Sequence, residues 1–193
     1  MAVERIGEVV ESSSSGFTVE CYSLYDAPPL GALVRTLKGP VYGVNCNVYT
    51  AAIDPARRPT TMGRNEETEE SVYQSNPQLS QLLRTDFQVI TLGYSDGTNT
   101  WHVLPPAPPR IYAFVRSCNQ DETCSFASSL GFLPTLLAGR IVNLDEVIIA
   151  SLRQLAYAHS DSQAFLVRAG RELVRLMSND TQRLSILLGR LLA

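Results

Sequence analysis

The chain has 193 residues, 45% of them apolar and 18% charged, with a formal net charge of -3. That is enough apolar mass for one large domain or two small ones, and too little charge for a disordered chain. The acidic excess lies in residues 1–120, since residues 121–193 balance seven arginines against seven acids. This argues against a free-standing nucleic-acid binder, which draws affinity from a cationic surplus.

In chain order, residues 5–53 read as short strands. Ile6, Glu8 and Val10 alternate with Gly7 and Val9, and Ser12 to Gly16 makes a turn. Phe17, Val19 and Cys21 alternate with polar neighbours, and Asp26-Ala27-Pro28-Pro29 interrupts. Gly31 to Thr36 forms a third strand, and Gly39-Pro40 turns the chain. A fourth strand places Tyr42, Val44, Cys46 and Val48 on one face and Gly43, Asn45 and Asn47 on the other. Period-two alternation predicts one buried and one solvated face, and closely spaced strands predict a small barrel or sandwich.

Residues 54–85 read as an insertion between strands. A polar loop is followed by a short helix opening on Glu66, Glu67, Glu69 and Glu70, acids that suit a helix N-terminus. A second short helix, Gln78 to Arg84, has Pro77 at its first turn. Strand sequence resumes at Phe87–Gly93, turns at Ser95-Asp96-Gly97 and returns at Asn99–Leu104. Pro105–Pro109 is a stiff connector, with a PxxP spacing that also suits an aromatic groove, and Ile111–Val115 is a last strand.

From about residue 120 the period lengthens to 3.6. Asn119 with Glu122, Asn143 with Glu146 and Asn179 with Gln182 have capping-box spacing. Amphipathic stripes follow: Leu144, Ile148, Leu152 and Leu155, then Phe165, Ala169 and Leu173, then Leu184, Leu187, Leu188, Leu191 and Leu192.

Chemistry-bearing patterns are sparse. Gly93-Tyr94-Ser95-Asp96-Gly97 spells a nucleophile elbow, but that serine needs a strand-to-helix turn, and Asp96-Gly97 before a strand signals a hairpin. His102 lies on the returning strand without an acid placed to orient it. His102 and His159 are the only histidines, and neither has a second ligand at metal spacing. Lys38 precedes its glycine, so a phosphate-binding P-loop is excluded, and no GxGxxG is present. No catalytic, cofactor or metal residues are therefore assigned. The candidate partner-binding cations are Arg57 and Arg58 in the polar loop and Arg168, Arg171 and Arg175 on one helix face.

The four cysteines, Cys21, Cys46, Cys118 and Cys124, lack CxxC spacing and read as free thiols of a cytoplasmic protein. No leader-like segment opens the sequence, and no apolar run approaches the roughly 18 residues that span a bilayer.

The strands Ile6-Gly7-Glu8-Val9-Val10, Phe17 to Tyr22, Leu30-Gly31-Ala32-Leu33-Val34 and Tyr42-Gly43-Val44 resemble the HAS-barrel. This is the small barrel at the N-terminus of HerA-type DNA translocases and rotary ATP synthase head subunits. The likeness covers residues 5–53 and extends to 87–115 as closing strands. With its helical half the chain also resembles stand-alone HAS-barrel proteins of cyanobacteria. In the ATPases the barrel does no chemistry and offers docking surface; this chain has no motor domain.

The expectation is an α+β fold. Residues 1–118 form a closed barrel of six or seven strands with the 54–85 insertion, and residues 119–193 form a helical bundle. The functional expectation is a non-enzymatic interaction or assembly module with a protein partner, a homo-oligomer being compatible. The alternatives are an accessory factor of a HerA-like ATPase or nuclease system, with indirect DNA contact, and a serine hydrolase using Ser95.

Overall fold

The structure is a computed structural model and describes residues 4–192. In chain order the elements are β1 (Gly7–Ser12), β2 (Gly16–Cys21), β3 (Leu33–Thr36), β4 (Val41–Ala52), α1 (Glu69–Ser75), α2 (Leu79–Leu82), β5 (Leu83–Ser95), β6 (Thr100–Trp101), β7 (Phe114–Ser117), α3 (Gln120–Phe126), α4 (Leu133–Leu137), α5 (Leu144–Ala158), α6 (Ser162–Leu176) and α7 (Thr181–Leu192). Every strand pairing is antiparallel. The order β2-β1-β7-β3-β4-β5 closes through a β2–β5 pairing into a six-stranded barrel, with β6 attached outside along β5. Closure leaves β1, β2, β3 and β7 without a free edge over their paired lengths.

Two apolar cores share the barrel wall. Inside the barrel lie Val9, Phe17, Val19, Val34, Val41, Phe87, Val89 and Val115. On the outside, Leu33, Tyr42, Val44, Cys46, Ile90 and Leu92 join a second core with Phe126, Phe132, Leu136, Ile148, Leu152, Phe165, Leu173 and Leu187 of the helices. One correction to the alternation follows. Tyr42, Val44 and Cys46 do form a buried face, but it looks out to the helices, and the face of Gly43 and Asn45 is buried too. Asn45 is fully buried because its amide is satisfied: Nδ2 donates to the Pro28 carbonyl at 2.6 Å, and Oδ1 accepts from the Asn47 N–H. Val48, expected on the same buried face, is 43% exposed.

Close backbone approach explains two glycines. A Cβ on Gly43 would lie 2.4 Å from the Ile90 carbonyl oxygen across the β4–β5 pair. Gly31 has φ +78, and a Cβ there would lie 2.3 Å from the Ser151 backbone nitrogen, so it lets α5 seat against the barrel.

Of the three expected capping boxes, one forms in full. Asn119 Oδ1 accepts from the Glu122 N–H, and Glu122 accepts from the Asn119 N–H. Asn143 instead adopts a left-handed conformation and makes no side-chain cap. At α7 the acceptor is Asp180, bonded by the Arg183 N–H, one residue beyond the expected Asn179. The second insertion helix ends at Leu82, and Arg84 already belongs to β5. Helix α4 has no counterpart in the periodicity reading, being only one turn long.

Glu122 also clamps the two halves. It accepts from Arg116 Nη1 of β7 at 2.6 Å and Arg35 Nη1 of β3 at 2.8 Å, all three side chains being mostly buried. The Arg116 guanidinium is the main cause that holds the Glu122 carboxyl at about 2, below its ordinary 4.5. A lowered folded pKa means stability that is present above pH 4.5 and lost as pH falls toward 2. Glu122→Gln is expected to lower unfolding free energy at pH 7 by about 2 kcal/mol, since it takes a charged acceptor from two guanidiniums. In urea titrations the gap from wild type should narrow as pH drops from 4.5 toward 2; a pH-independent gap would refute the clamp.

Candidate functional site

The barrel wall is covered unevenly, and the uncovered part is the candidate site. Strands β4 and β5 pair along their whole lengths, from Val41 opposite Tyr94 to Ala52 opposite Leu83. Their outer partners are shorter. Strand β3 covers β4 to Val44, and Gly31 and Ala32 extend the main-chain bonding to Asn45. Strand β2 covers β5 only from Asp86 to Ile90. The far ends, residues 47–52 and 83–85, therefore project past the barrel as a two-stranded ribbon.

A bulge sets which way the ribbon's backbone points. Asn45 directs its N–H to Ala32 and its carbonyl to Gly31, away from β5. The register then shifts by one between Asn45 and Asn47. Beyond the bulge Ile53 donates to the Leu82 carbonyl, so by alternation Ala51, Tyr49 and Asn47 face β5. Val48, Thr50 and Ala52 direct their N–H and C=O groups outward, and among the described residues no group bonds to them.

Side chains lock the ribbon to the barrel. Tyr25 N–H donates to Thr85 Oγ1 at 2.9 Å, and the Thr50 and Thr85 hydroxyls bond at 2.8 Å. On the other face Arg84 Nε pairs with the buried Asp86 at 3.2 Å. Burial raises the Tyr49 pKa, and a hydrogen bond to Asp86 raises it further.

The insertion crowns the ribbon. Helix α1 is capped by Thr68, whose Oγ1 accepts from the Ser71 N–H, yet neither α1 nor α2 buries a single residue. Tyr73 of α1 meets Tyr25 edge-on at 6.2 Å, with their hydroxyls bonded. Ile53, Tyr73, Leu82 and Tyr25 are all at least one-third exposed at this end. Residues 53–82 carry five acids (Asp54, Glu66, Glu67, Glu69, Glu70) against three arginines (Arg57, Arg58, Arg64), so the insertion that bears these apolar side chains is net acidic.

The five candidate arginines do not converge. Arg57 pairs with Asp54 at 3.4 Å in the exposed insertion loop, beside exposed Arg58. Arg168 is tied down, its Nη2 donating to the Ala127 carbonyl at 2.8 Å and Nη1 to that of Ser128 at 3.2 Å. Arg175 pairs with Glu172 on its own helix. Arg171 is exposed and, among the described residues, without a salt bridge. The α6 arginines thus form no free cationic stripe, because two of the three already serve internal acceptors.

Ser95 ends β5 and starts a hairpin, its Oγ accepting from the Gly97 N–H at 3.1 Å. Asp96 organises the turn, accepting from the Thr98 and Asn99 N–H groups and from Trp101 Nε1. These bonds hold its carboxyl at about 2. His102 packs edge-on against the rings of Phe126, at 4.6 Å, and Phe132, at 5.6 Å, which also touch each other at 5.4 Å. The sequence around Ser95 is thus a strand–turn–strand. Cys21, Cys46 and Cys118 are pushed up to between about 11 and about 12, burial being the largest cause, which keeps these thiols protonated. Among the described residues no group of three or more His, Cys, Asp or Glu side chains is arranged to hold a metal ion, and no helix is long and apolar enough to cross a membrane.

A separate open cleft of about 700 Å³ lies between the β1–β2 turn, β5 and α4, with Ser13, Gln88, Thr135 and Arg140 among its walls. No family model matches the chain, and no curated protein matches it.

The ribbon escaped the sequence reading because its strands were read too short, β4 as ending at Val48 and β5 as beginning at Phe87. The available signal was the uncharged run from Val41 to Ile53, longer than any neighbouring strand.

Burial lowers the His102 pKa from its ordinary 6.5, and a backbone hydrogen bond at Phe126 opposes it. His102 therefore adds stability above pH 6.5 that is lost as pH falls below that value. His102→Phe, which keeps a ring against Phe126 and Phe132, is expected to reduce the loss of stability between pH 6.5 and 5 in thermal melts, the remainder coming from His159, whose pKa burial also lowers. An unchanged slope would show that His102 does not titrate with unfolding.

Proposed function

We propose that the chain is a non-enzymatic interaction and assembly module that docks a protein partner at the ribbon tip. The observation that carries this reading is an insertion whose two helices bury no residue fully, set on a ribbon that projects from a closed barrel. Helices this short are not stable alone in water, and a pair with only Ser71, Val72 and Leu79 partly buried gains little from its own fold. Exposed apolar side chains rimmed by charge are the usual mark of a contact surface. The partner that fits Ile53, Tyr73 and Leu82 on a net-acidic insertion offers an apolar anchor flanked by basic residues. The HAS-barrel likeness supports the same reading, since that barrel serves larger assemblies as docking surface. Likeness of fold carries no activity with it, so the site bears the argument.

The test is affinity purification from native cells at low salt, comparing wild type with a Tyr73→Ala/Leu82→Asp double variant. Both positions lie on exposed faces, so stability should change by less than about 1 kcal/mol. A stoichiometric partner recovered with wild type should fall at least about tenfold with the variant. Equal recovery by the two, or wild type recovered alone, contradicts the reading.

A further inference from the structure

We propose that the open edge of β4 pairs antiparallel with the β4 edge of a second copy of this chain, which makes a two-fold dimer with a β5-β4-β4-β5 sheet across it. The inference rests on the interaction reading of this end of the barrel but uses the strand edge in place of the insertion tip.

Three observations favour this occupant. The first is unmet hydrogen bonding: past the Asn45/Asn47 bulge, Val48, Thr50 and Ala52 present three N–H and three C=O groups in a row. Such a row is a template for another strand. The second is the lack of any blocking device. Natural edges are protected by lysine, proline or inward charge, yet Val41 to Ile53 contains no charged residue and no proline. The bulge lies before the open stretch, so it turns these groups outward without interrupting them.

The third observation selects a second copy over a peptide from another protein. Strand addition by a peptide gains specificity from pockets that take alternate side chains. The side chains along this edge are Val48, Thr50, Ala51 and Ala52, small groups beside one tyrosine, Tyr49. A flat, neutral edge of small side chains is complementary to itself. With the two-fold axis at Thr50, Val48 of each copy lies opposite Ala52 of the other, and no like charges meet. An isologous contact of this kind closes on itself, so it stops at a dimer.

The experiment is sedimentation of purified wild type over a wide concentration range, beside Thr50→Pro and Val48→Lys, with amide-resolved hydrogen exchange. Proline at position 50 removes an outward donor and spares the main-chain bonds to β5 while losing the Thr50–Thr85 hydroxyl bond; lysine at 48 keeps the backbone and adds an edge charge. Circular dichroism checks that each variant folds, and Val48→Lys keeps the test decisive if Thr50→Pro does not. Wild type should dimerise with rising concentration, both variants should weaken association at least about tenfold, and the Val48, Thr50 and Ala52 amides should gain protection only in the dimer. A wild type that stays monomeric, or a dimer indifferent to Val48→Lys, overturns the proposal. Retention of a Leu82-dependent partner by a monomeric wild type would sink the pairing and leave the tip reading standing.

Discussion

Burial of one wall on both its faces is the constraint on which the structure depends. From Val41 to Cys46 every residue of β4 is buried, alternate side chains serving the barrel interior and the helical core. Fully burying an aliphatic or aromatic side chain is worth about 1.5–3 kcal/mol, so neither layer can leave this wall without exposing a large apolar face. Gly31 permits the close seat of α5, and Glu122 fixes β3 and β7 to the start of α3. The helices thus complete the barrel's outside and draw their own core from it.

The exposed surface follows from where that cover ends. Strands β4 and β5 outrun their neighbours, and a bulge exchanges which residues face β5 at the point where β3 stops. Inside the covered region Asn45 has its amide and its backbone satisfied; a few residues on, the main-chain groups of Val48, Thr50 and Ala52 meet no partner among the described residues. The same strand is therefore core at one end and surface at the other. Polar groups that look catalytic in the sequence are used structurally: Asp96 and Ser95 build a turn, and His102 packs against two aromatic rings.

Much of the architecture was legible from period alone. Most strands follow from alternation, the hairpin at Asp96-Gly97 from its turn residues and the stripes of Ile148, Leu152, Phe165 and Leu173 from 3.6-residue spacing, and the stripe side chains are buried as expected; the last strand lies at Phe114–Ser117 in place of Ile111–Val115, and the returning strand keeps only Thr100–Trp101. What period cannot show is the side of a wall on which a second layer lies. Tyr42, Val44 and Cys46 read as barrel interior and belong to the outer core, because a strand covered twice loses its solvated face. Asn179 looked like a cap equal to Asn119, but the carboxylate of Asp180 stands one residue closer to the α7 start. The candidate arginines were legible as cations and not as free ones, since Arg168 is spent on carbonyls 40 and 41 residues away.

A wall shared by two cores is expected to couple barrel and helices into one cooperative unit, and equilibrium unfolding followed by two probes tests this most directly. Emission from Trp101, the only tryptophan, reports the β5–β6 hairpin attached along the barrel's β5, while far-ultraviolet ellipticity reports chiefly the helices. Superimposable urea transitions are predicted from the two signals. Two separated midpoints, with the helices melting away from an intact barrel, would contradict it.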